Sequence, residues 1–184
     1  MRVKEIMALS AELCGRRDVA DYLEKGLAAD AAAAEREAQT LLRCYNLAEN
    51  EIALDYLPLK RTEAFVSDGE IAFDRFALPP LEVFAVRGER GERLAFSQTE
   101  TALRVRAGSV TVTYSYRPNV KTEQDEPSVD GRAGERVLAL GTACEYALMS
   151  GSTETAELLD RRYRDALACA CRERGGKMKM RRWA

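Results

Sequence analysis

The sequence predicts an α+β fold, with helices at both ends of the chain around a small antiparallel β lobe. Three observations lead to this prediction. Apolar residues recur at helical intervals up to residue 51 and again from residue 135, and they alternate at strand intervals in between. Glycine and proline divide the middle region into short segments. The 184-residue chain is 46% hydrophobic and 32% charged, a composition that supports a core without disulfide or metal staples.

Residues 1–51 are predicted to form an N-terminal helical part with three helices. The first covers Val3 to Leu13, and the second is capped by Asp18 and ends at Gly26. Asp30 is expected to cap the third helix, whose alanine-rich first half favours helix strongly. Its buried stripe is predicted to consist of Ala34, Ala38, Leu41, Leu42 and Tyr45.

Residues 52–118 are predicted to form one compact antiparallel sheet. Its short strands are rich in Val, Phe, Thr and Tyr. The expected strands are Glu63–Val66, Glu70–Phe76, Leu81–Arg87, Arg93–Phe96, Ala102–Arg106 and Ser109–Tyr116. A hairpin across Ala107-Gly108 would align Leu103 and Val105 with the apolar positions of the last strand. The charged turn between residues 87 and 93 lacks the pattern and the following helix of a phosphate loop, so we expect a solvated hairpin turn.

Residues 119–134 are polar, lack periodicity and are predicted to be a linker. Four acidic side chains in this segment raise the alternative of a divalent-cation loop. They are Glu123, Asp125, Glu126 and Asp130. Their spacing does not match the EF-hand pattern, and acidic linkers are common, so no metal site is predicted there.

Residues 135–174 are predicted to form an αα-hairpin, because two helical patterns are separated only by a break at residues 150–152. Small residues at 141–143 would let another backbone approach the first helix closely. Ser152 or Thr153 is expected to cap the second helix. Its apolar stripe is predicted to contain Leu158, Leu159, Ala166, Leu167 and Ala170. Residues 1–51 and 135–174 together are expected to form one helical lobe.

The charged run from Asp160 to Asp165 admits two interpretations. Arg161, Arg162 and Arg164 with Tyr163 could form a nucleic-acid-binding face with an aromatic side chain for stacking. The alternative, which we favour, is a solvated helix face with charge pairs four residues apart, Asp160 with Arg164 and Arg161 with Asp165.

The residue types disfavour catalysis. The chain has no histidine, which removes the most common general base and metal ligand. The five cysteines are widely spaced, form no C-x-x-C pair and are expected to be structural. The sequence therefore predicts no catalytic residue, no cofactor site and no metal site, and we expect a non-enzymatic protein. No apolar run approaches the roughly 18 residues of a membrane span, and the N-terminus does not resemble a secretory signal, so synthesis in the cytoplasm is expected.

Residues 175–184 are predicted to form an extended basic tail. Residues 171–184 contain six Lys or Arg and one Glu, which gives this end a charge of +5 and leaves −7 on the rest of the chain. Such asymmetry suits either nucleic acid or the acidic surface of a partner, including a second copy of the chain. Alternating basic and apolar residues indicate a segment that becomes ordered on a partner surface. The predicted partner-binding residues are Lys177, Lys179, Met180, Arg181, Arg182 and Trp183.

The order of these parts, together with the run LALGTACEYALMSGSTETAELLDRRYRDAL and the terminal RRW, resembles the head-to-tail connector (adaptor) proteins of tailed bacteriophages and prophages. These motifs cover about a quarter of the chain, and the rest agrees in architecture. The resemblance implies a ring of identical subunits, commonly twelve, bound beneath the portal protein. It also implies a platform for the next neck or tail protein, a lumen through which double-stranded DNA passes without sequence-specific binding, and a place in the virion neck.

Two other functions remain as alternatives. A small nucleic-acid-binding module would use the basic tail and the arginines at 161, 162 and 164 on phosphates, although the acidic body would repel DNA. A carboxylate-dependent hydrolase has only the abundance of Asp and Glu in its favour. We rank the adaptor first, the binding module second and the hydrolase third.

Overall fold

The computed structural model describes residues 1–129 and 131–172, and this part of the chain has the predicted α+β fold. Its helices are α1 Val3–Leu13, α2 Arg17–Lys25, α3 Ala31–Glu51, α4 Glu135–Met149 and α5 Thr153–Cys171. Its strands are β1 Leu59–Ser67, β2 Glu70–Ala72, β3 Pro80–Gly88, β4 Arg93–Leu94, β5 Phe96–Gln98, β6 Ala102–Val105 and β7 Gly108–Tyr116. None of the helices in the described ranges is both long and apolar enough to cross a membrane.

The five helices share one hydrophobic core, to which both ends of the described chain contribute. Its members run from Val3 to Leu57 and from Ala133 to Leu167. The largest fully buried side chains of this core are Ile6, Met7, Leu23, Leu41, Tyr45, Ile52, Leu57, Leu138 and Leu140. The N-terminal helices and the C-terminal hairpin are thus one packed unit, with the β segments inserted between α3 and α4.

Local signals explain the start of α3 and the end of α2. The Asp30 carboxylate accepts a hydrogen bond from the Ala33 amide at 3.0 Å, which confirms the predicted cap of α3. Gly26 ends α2 in the left-handed conformation, with φ of 70°. The prediction that Asp18 caps α2 is wrong, because the helix begins one residue earlier. Asp18 instead accepts two hydrogen bonds from the Arg16 guanidinium, at 3.0 and 2.9 Å.

Helical structure continues beyond the predicted start of the β lobe at residue 52. A π-helical turn, Ile52–Tyr56, follows it directly, and the Leu57 amide closes this turn by donating to the Ile52 carbonyl at 2.7 Å. Ile52 and Leu57 are buried in the helical core. Burial of these apolar side chains against the other helices therefore stabilises a helical conformation here, although the spacing of apolar residues alone suggested a change from helix to strand.

The β lobe contains two antiparallel sheets around a second core, where the sequence predicted one sheet. The first has the strand order β1-β7-β3-β4 and the second the order β2-β6-β5. The predicted hairpin between β6 and β7 is wrong, since β7 pairs with β1 and β3 while β6 pairs with β2 and β5. The predicted apolar positions on both strands do face a common core, which contains Leu103, Val105, Val110, Val112 and Tyr114.

Other details of the β lobe follow the sequence more closely. β3 and β4 form the expected hairpin, with Val86 opposite Leu94, and Gly91 takes a positive φ of 78° in its turn. The predicted strand Glu70–Phe76 is shorter, because residues Phe73–Arg75 form a 3₁₀ turn. The predicted strand Arg93–Phe96 divides between the two sheets as β4 and β5.

The segment 119–134, expected to be a linker, has no helix or strand among its described residues but is fixed to the helical lobe. Asn46 on α3 exchanges two hydrogen bonds with the Lys121 backbone, at 2.7 and 3.2 Å. The Glu49 carboxylate, 1% exposed, accepts from the Ser128 amide at 2.6 Å. Burial raises the pKa of Glu49 even though this bond and the Tyr45 hydroxyl favour the charged form. The return path to α4 is therefore held by specific polar contacts with α3.

Candidate docking groove on the helical lobe

A close approach of three helices forms the floor of a groove on the helical lobe. Gly141 on α4 faces both Tyr163 on α5 and Ala48 on α3. A Cβ atom at position 141 would lie 2.9 Å from Tyr163 Cε2 and 3.2 Å from the Ala48 methyl group. The predicted close approach at the small residues of α4 is confirmed, because only glycine leaves room for the tyrosine ring.

The groove lies between the end of α3, the middle of α4 and the first half of α5, and its volume is about 380 Å³. We call it the acidic groove. It is lined by the acidic side chains of Glu51, Glu145, Glu157 and Asp160 and by Gly141, Cys144, Leu148, Ala156 and Tyr163. Leu148 is 54% exposed, so the groove offers apolar surface as well as charge. A ligand with both cationic and apolar side chains would fit this combination.

The negative charge of the groove is only partly neutralised. Arg164 pairs with Asp160 at 2.9 Å, and it is the one cation among the described residues that line the groove. Burial raises the pKa of Glu51, and nearby Glu145, Asp55 and Asp160 raise it further. The Glu51 carboxylate therefore lies in the field of two other groove carboxylates, Glu145 and Asp160. In the part of the chain that the structure describes, Glu51, Glu145 and Glu157 form no ion pair.

The environment of Tyr163 differs from that expected under either interpretation of the charged run from Asp160 to Asp165. It was predicted on an exposed face, but it is 5% exposed, and its hydroxyl donates to Glu51 at 3.2 Å. It is therefore not accessible for stacking on a base. Of the two predicted charge pairs on α5, Asp160 with Arg164 forms at 2.9 Å, whereas no ion pair joins Arg161 to Asp165 within the described residues.

Three thiols of the helical lobe, those of Cys14, Cys44 and Cys144, are poor nucleophiles. Burial raises the pKa of Cys14 to about 11 and that of Cys44 to about 12, so both remain protonated at neutral pH. Burial also raises the pKa of Cys144 in the groove, and the neighbouring carboxylates add to this effect. Cys44 and Cys144 are buried, as expected of structural cysteines, but Cys169 is exposed. Across residues 1–129 and 131–172, no group of three or more His, Cys, Asp or Glu side chains is arranged to hold a metal ion.

The predicted partner-binding residues, Lys177, Lys179, Met180, Arg181, Arg182 and Trp183, lie outside the described residues. So does Asp130 of the acidic segment. Sequence reasoning missed the acidic groove, because its carboxylates come from three separate helices. One signal was available: Glu145 interrupts the most apolar stretch of α4.

No protein-family model matches the chain, and no curated protein is similar to it in sequence.

Proposed function

We propose that the chain is a structural head-to-tail connector of a tailed phage or prophage. In this role identical copies form a ring beneath the portal, support the next neck or tail protein and let double-stranded DNA pass through the lumen. The chain would be made in the bacterial cytoplasm and end in the neck of the virion. The single observation that carries the proposal is the architecture: helices from both ends of the described chain share one core, and a β lobe with a core of its own is inserted between α3 and α4. This arrangement agrees with the resemblance of the helical pair and the terminal RRW.

The distribution of charge supports assembly by a head-to-tail contact. Residues 171–184 carry +5 and the rest of the chain −7, and the acidic groove belongs to the negative body. A contact between a basic tail and an acidic body is heterologous, and repeated around an axis it closes into a ring when the rotation between neighbouring subunits permits. We propose that the tail residues Lys177 to Trp183 dock on the portal or on a neighbouring subunit.

The test is attachment of the chain to a portal protein from the same phage genome. Deletion of residues 177–184 is expected to abolish attachment, measured by co-purification and by the mass of the complex, while circular dichroism and the melting temperature of the free chain stay unchanged. Two full-length variants separate the contributions: one with the four tail cations 177, 179, 181 and 182 changed to Gln, and Trp183→Ala. Attachment that persists after the deletion would rule out the role proposed for the tail.

A nucleic-acid-binding module is the second candidate, and one observation favours it: Arg161 and Arg162 are exposed and form no ion pair among the described residues. Phosphate binding by these arginines and the tail would make the affinity for double-stranded DNA fall steeply with salt. Absence of measurable DNA binding at low salt would exclude this function. Salt-dependent binding that survives in an Arg161→Gln, Arg162→Gln variant would assign it to the tail alone.

A further inference from the structure

We infer that the acidic groove is the receptor for the C-terminal segment 177–183 of a second copy of this chain. The inference rests on the proposed function, since it names the contact that joins neighbouring subunits of the ring. Its occupant is identified by chemistry: the segment reads KMKMRRW and so offers cations together with apolar and aromatic side chains.

The groove has the complementary pattern. Glu51, Glu145 and Glu157 form no ion pair among the described residues, and they line the groove together with the apolar side chain of Leu148. Its volume of about 380 Å³ is suitable for one or two large side chains of an extended segment. Lysine and arginine side chains can bury their methylene stems on such an apolar surface while their charged ends reach the carboxylates. A purely acidic surface would attract cations alone, whereas this groove also gives Met and Trp side chains an apolar contact.

The positions of groove and tail along α5 allow a head-to-tail contact with a second copy. The α5 residues that line the groove run from Thr153 to Arg164, and the tail follows the end of the helix at Cys171. With a rise of about 1.5 Å per residue, these two sites are about 10–27 Å apart along the helix. One copy therefore carries a donor segment at one end of α5 and a receptor towards the other, which is the requirement for a repeated head-to-tail contact. The 12 residues after Arg172 span up to about 40 Å when extended, so docking of the tail on its own groove must be tested separately.

The experiment uses the full-length chain with the photo-reactive amino acid p-benzoylphenylalanine at Ala184, which leaves Trp183 intact. An equal mixture of ¹⁴N- and ¹⁵N-labelled protein is irradiated at high concentration, and the cross-linked peptides are identified by mass spectrometry. We expect cross-links from position 184 to peptides within residues 141–164, with both isotopes present in one product. Groove products that contain a single isotope without any mixed-isotope product would show that the tail binds its own chain, and products at other surfaces would show another receptor; either result overturns the inference.

Charge reversal tests the receptor directly. Glu145→Lys with Glu157→Lys is expected to reduce the mixed-isotope product at least about tenfold, because like charges would then face each other. The control Glu12→Lys with Glu35→Lys changes the net charge equally at exposed positions outside the groove and should leave the yield unchanged. Changing Arg181 and Arg182 to Glu in the groove variant should restore cross-linking, which excludes misfolding as the cause of the loss.

Attachment to the portal is measured in parallel. If the wild-type chain attaches to the portal but gives no cross-links to the groove, this inference is refuted and the proposed function remains intact. Cross-links to the groove without any portal attachment would instead refute the adaptor function and leave the self-association in place.

Discussion

Substitution of Gly141 by alanine tests the close helix packing on which the acidic groove depends. Alanine in the middle of a helix is favoured over glycine by about 1 kcal/mol. The new methyl carbon would lie 2.9 Å from Cε2 and 3.1 Å from Cζ of the Tyr163 ring. That ring is 5% exposed and its hydroxyl is bonded to Glu51, so it has little freedom to move away. Overpacking of this kind costs about 1–3 kcal/mol, which outweighs the gain in helix propensity.

We therefore expect Gly141→Ala to lower the free energy of unfolding by up to about 2 kcal/mol. For a chain of this length the melting temperature should fall by up to about 8 °C in differential scanning calorimetry. Ala168→Gly, at an exposed position of α5, measures the helix-propensity contribution by itself. In a Tyr163→Leu background the ring is absent, and Gly141→Ala should become neutral or stabilising there. If Gly141→Ala alone stabilised the protein by about 1 kcal/mol, the three-helix contact would be looser than the structure indicates.

Two further predictions concern polar contacts of α3. Burial raises the pKa of Glu49, so the folded protein keeps the carboxyl proton at pH values where the unfolded chain, with a pKa near 4.5, has lost it. Protonation of Glu49 therefore stabilises the folded state at low pH, and this contribution is lost as the pH rises above 4.5 through the folded pKa. Glu49→Gln should remove this part of the pH dependence in urea unfolding, and an unchanged slope would contradict the burial argument. Asp30→Ala should cost about 1 kcal/mol through loss of the helix cap, measured in the same way, with the neighbouring exposed Ala31→Ser as control; no loss would show that the cap is dispensable.

The helices could be predicted because their signals are local. Val3–Leu13 matches the expected first helix, and Asp30 caps α3 as its position before an alanine run indicates. The C-terminal helical hairpin could also be predicted from a local signal, because the break between α4 and α5 contains Gly151, which has a positive φ of 76°. In each case the residues that decide the structure lie within one helical turn of the position they decide.

The pairing of strands could not be predicted in the same way. Apolar residues occupy every second position in both strands, Leu103 and Val105 in β6 and Val110 and Val112 in β7. This alternation indicates which face of each strand is buried, but it does not indicate which strand is the pairing partner. Two strands joined by Ala107-Gly108 can pair as a hairpin or pass into opposite sheets around one core, and both arrangements bury the same residues. The structure contains the second arrangement, in which β7 lies between β1 and β3. The choice depends on partners more than twenty residues away in the chain.

The same reasoning explains why the sequence predicts a binding segment in the tail but not its candidate receptor. A run of cations is contiguous in sequence, so its charge is visible without a structure. Glu51 and Glu157 each look like an ordinary exposed acidic residue on a helix, and Glu157 fits the preference for negative charge near a helix N-terminus. They become one surface only because Gly141 lets Tyr163 and Ala48 approach α4 together. Loosening that contact should therefore weaken binding of the tail even though no carboxylate is changed, so cross-linking from position 184 in the Gly141→Ala protein links the stability argument to the proposed docking site.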